Sequence, residues 1–250
     1  EGGVGAAVNL NWFDSRADET LLHIAARRNL LDCVDLLIKH GADVNCFDIR
    51  GCTALYHAVR LRDVDVCKSL LERHKADANR CAPLHVAVQN DALEYIELLV
   101  KHGADVDRGD QAGRTPLHLA VELGRVGVVA ALVKHGADVN KGDFFRQSPL
   151  HEMVQGNNRD MISIALRNTK NHDCVLDYVL EANRVDLLDL LVERGVDLNR
   201  LDAEQRTLLH RVVDSGRADV LLALLQRGAN PNISSPLHIA AGNNRVDCID

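Results

Sequence analysis

Large aromatic side chains are scarce in this chain of 250 residues, which holds four Phe, three Tyr and one Trp. That scarcity argues against a core of bulky rings and suits thin layers of short paired helices, which large side chains would hold apart. Long apolar runs are also missing. None approaches the roughly 18 residues that a membrane span requires, and no signal peptide is found, so no direct insertion into a membrane is expected. The seven cysteines include no CxxC pair and no zinc-like spacing, which points away from a disulfide framework and toward a reduced, intracellular chain. Phosphate-cradling glycine loops and a GxSxG nucleophile are absent, and His151-Glu152 fails as a zinc-protease HExxH because its fifth position is Gln155. A net charge of −7 argues against general nucleic-acid binding. No catalytic residue, cofactor or metal site is expected.

What the chain does contain is a stretch that returns about every 33 residues. It reads TLLHIAARRN at Thr20, TALYHAVRLR at Thr53, TPLHLAVELG at Thr115, SPLHEMVQGN at Ser148, TLLHRVVDSG at Thr207 and SPLHIAAGNN at Ser235. A second signature alternates with it: LLIKHGADVN from Leu36, LLVKHGADVD from Leu98 and ALVKHGADVN from Ala131. A unit this small cannot bury its own apolar face and must stack on its neighbours.

Both signatures, in phase, resemble the ankyrin-repeat family, whose pattern is roughly DxxGxTPLHxAxxxGxxxxVxxLLxxGADxN. The resemblance covers nearly the whole chain. It implies an all-α solenoid of paired antiparallel helices joined by β-hairpin loops, with about seven to eight repeats forming a single domain over residues 1–250. The expected boundaries are a partial repeat at 1–13, repeats at about 14–45, 46–79, 80–107, 108–140, 141–170, 171–199 and 200–232, and a partial repeat at 233–250.

The motif positions have mechanical roles. Thr or Ser caps the first helix, and Pro83, Pro116, Pro149 and Pro236 occupy its first turn. Gly41, Gly103, Gly136, Gly195 and Gly228 end the second helix where a left-handed residue is wanted, and Lys or Arg beside them complements its dipole. The histidines at 23, 85, 118, 151, 210 and 238 resemble the family residue that ties neighbouring loops together, and repetition leaves them in separate layers. Cys33, Cys67 and Cys248 stand where other repeats place Val or Ile, as small buried hydrophobes. The acidic residues of the second helices, Asp32, Asp35, Asp63, Asp65, Glu94, Glu97, Asp186 and Asp189, form a solvated outer face.

Departures are also legible. The second repeat has Tyr56 at the histidine position and His74-Lys75 where the helix-ending glycine belongs; the sixth has Asp177 for histidine. From Asn79 to Ala82, and from Asn232 to Ser235, three steps separate positions that lie eight apart in an intact repeat. The stretch from Thr169 to Cys174 is short by about seven residues relative to the repeat period. Natural deletion or missing hairpin tips would each produce such junctions, and the intact flanking motifs favour missing tips. Both ends cut through a repeat, as in a segment of a longer array.

The resemblance also places the binding surface on the hairpin tips and the exposed side of the first helices. Paired positions there read Arg27-Arg28, Arg60-Leu61, Gln89-Asn90, Glu122-Leu123 and Gln155-Gly156, so the groove is basic at its start and becomes acidic by Glu181 and Asp214. Phe47, Arg50, Arg114, Phe144 and Phe145 stand at tips, the aromatic-plus-arginine composition of binding hot spots, with Trp12, Phe13 and Arg16 in the long first hairpin. One of Phe144 and Phe145 is expected to pack and the other to be exposed. Asn45 and Asn140 resemble the segments that the oxygen-sensing asparaginyl hydroxylase modifies, although a hairpin-stabilising role accounts for both. The expected function is a non-enzymatic, monomeric interaction module in the cytoplasm, with the nucleus left open. Its partner would be another protein, presenting an acidic or phosphorylated segment to the arginines. The rival reading is a mechanical or tethering domain of a membrane or membrane-skeleton protein.

Overall fold

The computed structural model describes residues 9–11, 19–168, 173–236 and 242. Trp12, Phe13, Arg16, His238, Cys248 and the junction that starts at Thr169 lie outside the described residues. Among the described residues there are fourteen α-helices and no strand. The chain divides into two compact units, residues 1–149 and 150–250.

In the first unit the helices pair as α1 (Leu21–Arg27) with α2 (Leu31–Lys39), α3 (Ala54–Arg60) with α4 (Val64–Lys68), α5 (Pro83–Gln89) with α6 (Leu93–Lys101), and α7 (Pro116–Glu122) with α8 (Val126–Lys134). First helices stack on first helices, α1 on α3 on α5 on α7, and second helices on second helices, α2 on α4 and α6 on α8. The small residue at one recurring position permits this: Ala25, Ala58, Ala87 and Ala120 are all buried, so the helices approach closely. Beside them Leu22, Leu55, Leu84 and Leu117 fill the space between layers. Truncating such a leucine to Ala costs about 2–5 kcal/mol.

Several first helices start, and most second helices stop, for a local reason. Thr53 Oγ1 accepts from the Tyr56 amide at 3.2 Å, Thr115 Oγ1 from the His118 amide at 3.4 Å, and the Thr207 hydroxyl meets His210 Nδ1 at 2.8 Å. The turn joining paired helices always holds a left-handed residue, Asn29, Arg62, Asp91 and Gly124 in this unit. Arg62 alone there is neither glycine nor a short polar residue that tolerates the conformation. Gly41, Gly103 and Gly136 end the second helices at φ between 85° and 99°, as expected from the sequence.

The connecting loops are narrower than full β-hairpins. In the three full-length ones of the first unit and its boundary, an aspartate opens a tight turn whose fourth residue is left-handed: Asp48 to Gly51, Asp110 to Gly113, Asp143 to Arg146. A single backbone rung closes it, from the aspartate amide to the carbonyl four residues on, at 2.8–2.9 Å. One rung is too little to form a strand, so the loops are turns.

The second repeat carries one residue more in its second helix. Cys67 to Ala76 is nine steps where Val34 to Ala42 is eight. The extra residue is absorbed as a π-helical turn at Ser69–Arg73, and Lys75 takes the left-handed position at φ 56°. Asp35 of the preceding repeat gathers the displaced end, meeting Ser69, Arg73 at 2.6 Å and His74 at 2.8 Å. The short junctions close by a different route. Cys81 and Ala82 lie at φ 61° and 50°, and Ser234 and Ser235 at 55° and 56°. Each is a pair of consecutive left-handed residues without glycine, costing roughly 1–2 kcal/mol per residue.

Two expectations need correction here. Cys67 is fully buried, but Cys33 is exposed. Its counterpart one repeat later, Val66, is buried on α4, which stacks on α2, whereas no described second helix precedes α2. Among the second-helix acids, Asp63 is buried and caps α4 through the Val66 amide at 3.1 Å, and Asp35 is half-buried. The other six face solvent.

In the second unit lie α9 (Pro149–Gln155, whose first residue ends the first unit), α10 (Arg159–Asn168), α11 (Asp173–Glu181), α12 (Leu188–Glu193), α13 (Leu208–Ser215) and α14 (Ala218–Gln226). Asp202 repeats the loop geometry with Gln205 at φ 60°, and Gly195 and Gly228 end their helices. No helix among the described residues is long and apolar enough to cross a membrane.

Candidate partner-binding surface

Two hydrogen-bond ladders hold the loops at a fixed spacing. In the first, the buried histidines near the starts of α1, α5, α7 and α13 reach the next loop. The Thr115 amide donates to His118 Nδ1 at 3.0 Å, and His118 Nε2 lies 2.9 Å from the Gln147 carbonyl. Since Nδ1 accepts, Nε2 carries the proton and donates. His23 meets the carbonyls of Cys46 and Cys52, His85 that of Arg114, and His210 that of Ser234. Burial pushes His23 and His85 below the ordinary histidine range. In the second ladder, a side-chain oxygen accepts the amide of the next repeat: Asn45 from Asp77, Asn79 from Asp105, Asp107 from Asp138, Asn199 from Asn230. Asn45 therefore already has a structural task.

Loop aspartates provide the third anchor. Asp110 Oδ1 accepts from the amides of Ala112 and Arg114 at 2.8 and 2.9 Å, and Asp143 Oδ1 from Phe145 and Gln147 at the same distances. Asp48 Oδ1 does likewise with Arg50 and Cys52. Burial would raise the Asp48 and Asp110 carboxyls. The amide bonds outweigh it, joined at Asp48 by the hydrogen bond to His57, and hold both below the usual carboxylate range.

On this frame, the groove residues fall at one recurring place. Arg27, Arg60, Gln89, Glu122 and Gln155 are each the last residue of a first helix, and Arg28, Leu61, Asn90 and Leu123 are C-caps of the four in the first unit. The structure brings Arg27, Arg50 and Arg60 together around a cleft of about 390 Å³, also lined by Glu19, His57 and Leu61. Arg27 is shared with Glu19 at 3.3 Å. Arg28 is exposed.

Other members are spent on the scaffold. Asn90 donates to the carbonyls of Val59 and Arg60 at 3.1 and 3.3 Å, closing the end of α3. Arg114 and Glu122 pair with each other at 2.7 Å. Phe47 lies under the Arg80 guanidinium, 5.1 Å from the ring centroid. Gln155, in the second unit, contacts His151. Gln89 and Leu123 remain exposed.

Phe144 and Phe145 depart from expectation. Both are exposed, at 76% and 77%. The Phe144 ring lies against the Gly113 backbone so closely that a Cβ on Gly113 would stand 2.6 Å from it. Its amide donates to Ala112 at 3.2 Å. Contact on one edge leaves most of the ring in water, because the turn projects both side chains beyond the loop before it.

Sequence reasoning missed the grouping of Asp48, Cys52 and His57, whose ligand-type atoms lie within 4.8 Å of one another. It treated Tyr56 as a lost histidine. The next residue, His57, is buried and meets Asp48 Oδ2 at 2.8 Å, with its ring 5.9 Å from that of His23. Histidines of adjacent layers thus stand close together here. The available signal was the adjacency Tyr56-His57 with a cysteine five residues earlier. In the second unit a cavity of about 480 Å³ is lined partly by Asp177, Arg206 and Arg211. Arg211 pairs with Asp177, and Arg206 with Asp202, Glu204 and Asp214.

The family model described as ankyrin repeats in three copies matches residues 5–81, 73–143 and 140–235. Inversin from dog is 34% identical over 79 residues, and inversin from mouse and from human 33% over the same length. These stretches cover 30% of this chain and 7% of each relative, so the likeness concerns one segment of a much longer protein. With paired helices, histidine and asparagine ladders and family matches across both units, this chain, an all-α repeat solenoid, belongs to the ankyrin-repeat family.

Proposed function

We propose that this chain, built from repeats that serve generally as protein-interaction modules, captures an acidic or phosphorylated segment of a partner protein at the basic end of its first unit. The observation that carries this reading is the cleft shared by Arg27, Arg50 and Arg60. Three guanidiniums around one opening favour a carboxylate or phosphate, which they can grip with paired N–H donors. Leu61 on its wall and the exposed Leu123, Phe144 and Phe145 supply apolar contacts for the rest of an extended segment. Arg114 contributes little, since Glu122 already neutralises it.

The test is binding to a library of acidic and phosphorylated peptides by the chain and by a variant with Arg27, Arg28 and Arg60 changed to Glu. Melting temperature and helical circular dichroism control for folding. The reading expects selected peptides to lose at least tenfold in affinity, with salt weakening the wild-type complex. Equal binding by a folded variant refutes it. Phe144→Ser with Phe145→Ser is expected to weaken the same peptides while stability changes little.

A further inference from the structure

We propose that Asp48, Cys52 and His57 form a zinc-binding site, and that Cys81, whose sulfur lies outside that group of three donors, moves in as the fourth ligand. The proposal does not depend on the partner reading, although His57 also lines that cleft, and it rests on how this loop departs from its equivalents. At the position of Cys52, the fourth and seventh repeats carry Arg114 and Arg206, and these approach the second oxygens of Asp110 and Asp202 at 3.5 and 3.7 Å. The second repeat has no arginine there. A thiol takes that place, and a histidine arrives at the second oxygen from α3.

Each donor is held in place. Asp48 Oδ1 is fixed by two amides, leaving Oδ2 to bind. The Cys52 carbonyl is held by His23 at 3.0 Å. His57 is buried on a helix. In tetrahedral zinc with one sulfur, one nitrogen and one oxygen, donor atoms sit about 3.3–3.7 Å apart. The three here lie within 4.8 Å, and His57 and Asp48 at 2.8 Å, so an ion entering between them needs a carboxylate rotation and shifts of about 1 Å. The mixed nitrogen, oxygen and sulfur set favours zinc over the hard cations. Cys81 occupies the Cys52 position of the next repeat, and its sulfur rests against the Gly51 carbonyl. The shortened junction at Asn79–Ala82 leaves Cys52 and Cys81 only half-buried, which gives the ion a way in.

Zinc titrated into the reduced chain against a chromophoric chelator is expected to bind at one equivalent and raise the melting temperature. Cobalt should give tetrahedral visible bands and a sulfur-to-cobalt charge-transfer band. Cys52→Arg, which installs the residue of the fourth repeat, is expected to fold and lose at least about a hundredfold in affinity; His57→Gln should lose as much. Cys33→Ser, at an exposed thiol, should bind as the parent does, and Cys81→Ser should keep one cobalt while losing about half of the charge-transfer intensity. Absence of stoichiometric zinc, or undiminished binding by a folded Cys52→Arg, overturns the site and leaves a buried Asp48–His57 pair beside a thiol. Unchanged charge-transfer in Cys81→Ser removes Cys81 from it.

Discussion

The loops opened by Asp48 and Asp110 share a backbone and differ in chemistry. In both, one carboxylate oxygen accepts two amides and a single rung closes the turn. The other oxygen separates them. At Asp110 it faces an arginine that is part of a solvent-exposed network with Glu122; at Asp48 it is buried against His57. Repetition therefore constrains one oxygen, and the second is where a repeat acquires its own character.

The largest expected effect tests that division. Asp48→Ala strips two amides and leaves His57 buried without its partner, so it should cost about 3–5 kcal/mol. Asp110→Ala loses the amides and an exposed pair, about 1–3 kcal/mol. Urea denaturation of both variants measures the gap, and repeating Asp48→Ala in a His57→Gln background should shrink it. Equal costs in the single variants would mean that the second oxygen contributes nothing.

An intermediate effect is read by pH. His85 donates to the Arg114 carbonyl from a buried place that lowers its pKa. The unfolded chain then binds the proton more readily than the folded one, so stability is full above the unfolded value of about 6.5 and falls as pH drops below it. Melting temperature between pH 7.5 and 5 should decline, and His85→Ala should start lower and decline less. The depressed Asp110 carboxyl acts in another window: its contribution is present above about pH 4 and is lost as pH falls further.

The smallest effect comes from transplanting one loop's residue into the other. Cys52→Arg should change stability by no more than about 1 kcal/mol, because an exposed arginine gains little from its carboxylate. A larger loss would show that the thiol packs.

Much of this frame was legible from the chain alone, for reasons visible in single residues. Thr115 and His118 are three apart, so capping and loop contact follow from local geometry. Gly41, Gly103 and Gly136 announce left-handed helix ends because other residues pay for that conformation. The binding face was less legible. Asn90 and Arg114 occupy groove positions, yet their hydrogen bonds go to Val59 and Glu122, partners set by stacking and by side-chain reach. Phe144 and Phe145 could not be told apart by sequence, and the turn exposes both. The one-residue insertion before Ala76 was seen as a lost glycine; its resolution into a π-turn needed Asp35 from the preceding repeat.

The sequence by itself determined the repeat, its helix pairs, caps and ladders, because these depend on spacings within about one period and recur with it. Tertiary structure decided which polar atoms were already satisfied and which side chains met across layers. Arg27, Arg50 and Arg60 share a cleft, and Asp48, Cys52 and His57 a loop, because stacking brings residues of different turns to one surface. No period encodes that meeting. It arises where a repeat breaks its own pattern beside a neighbour that does not.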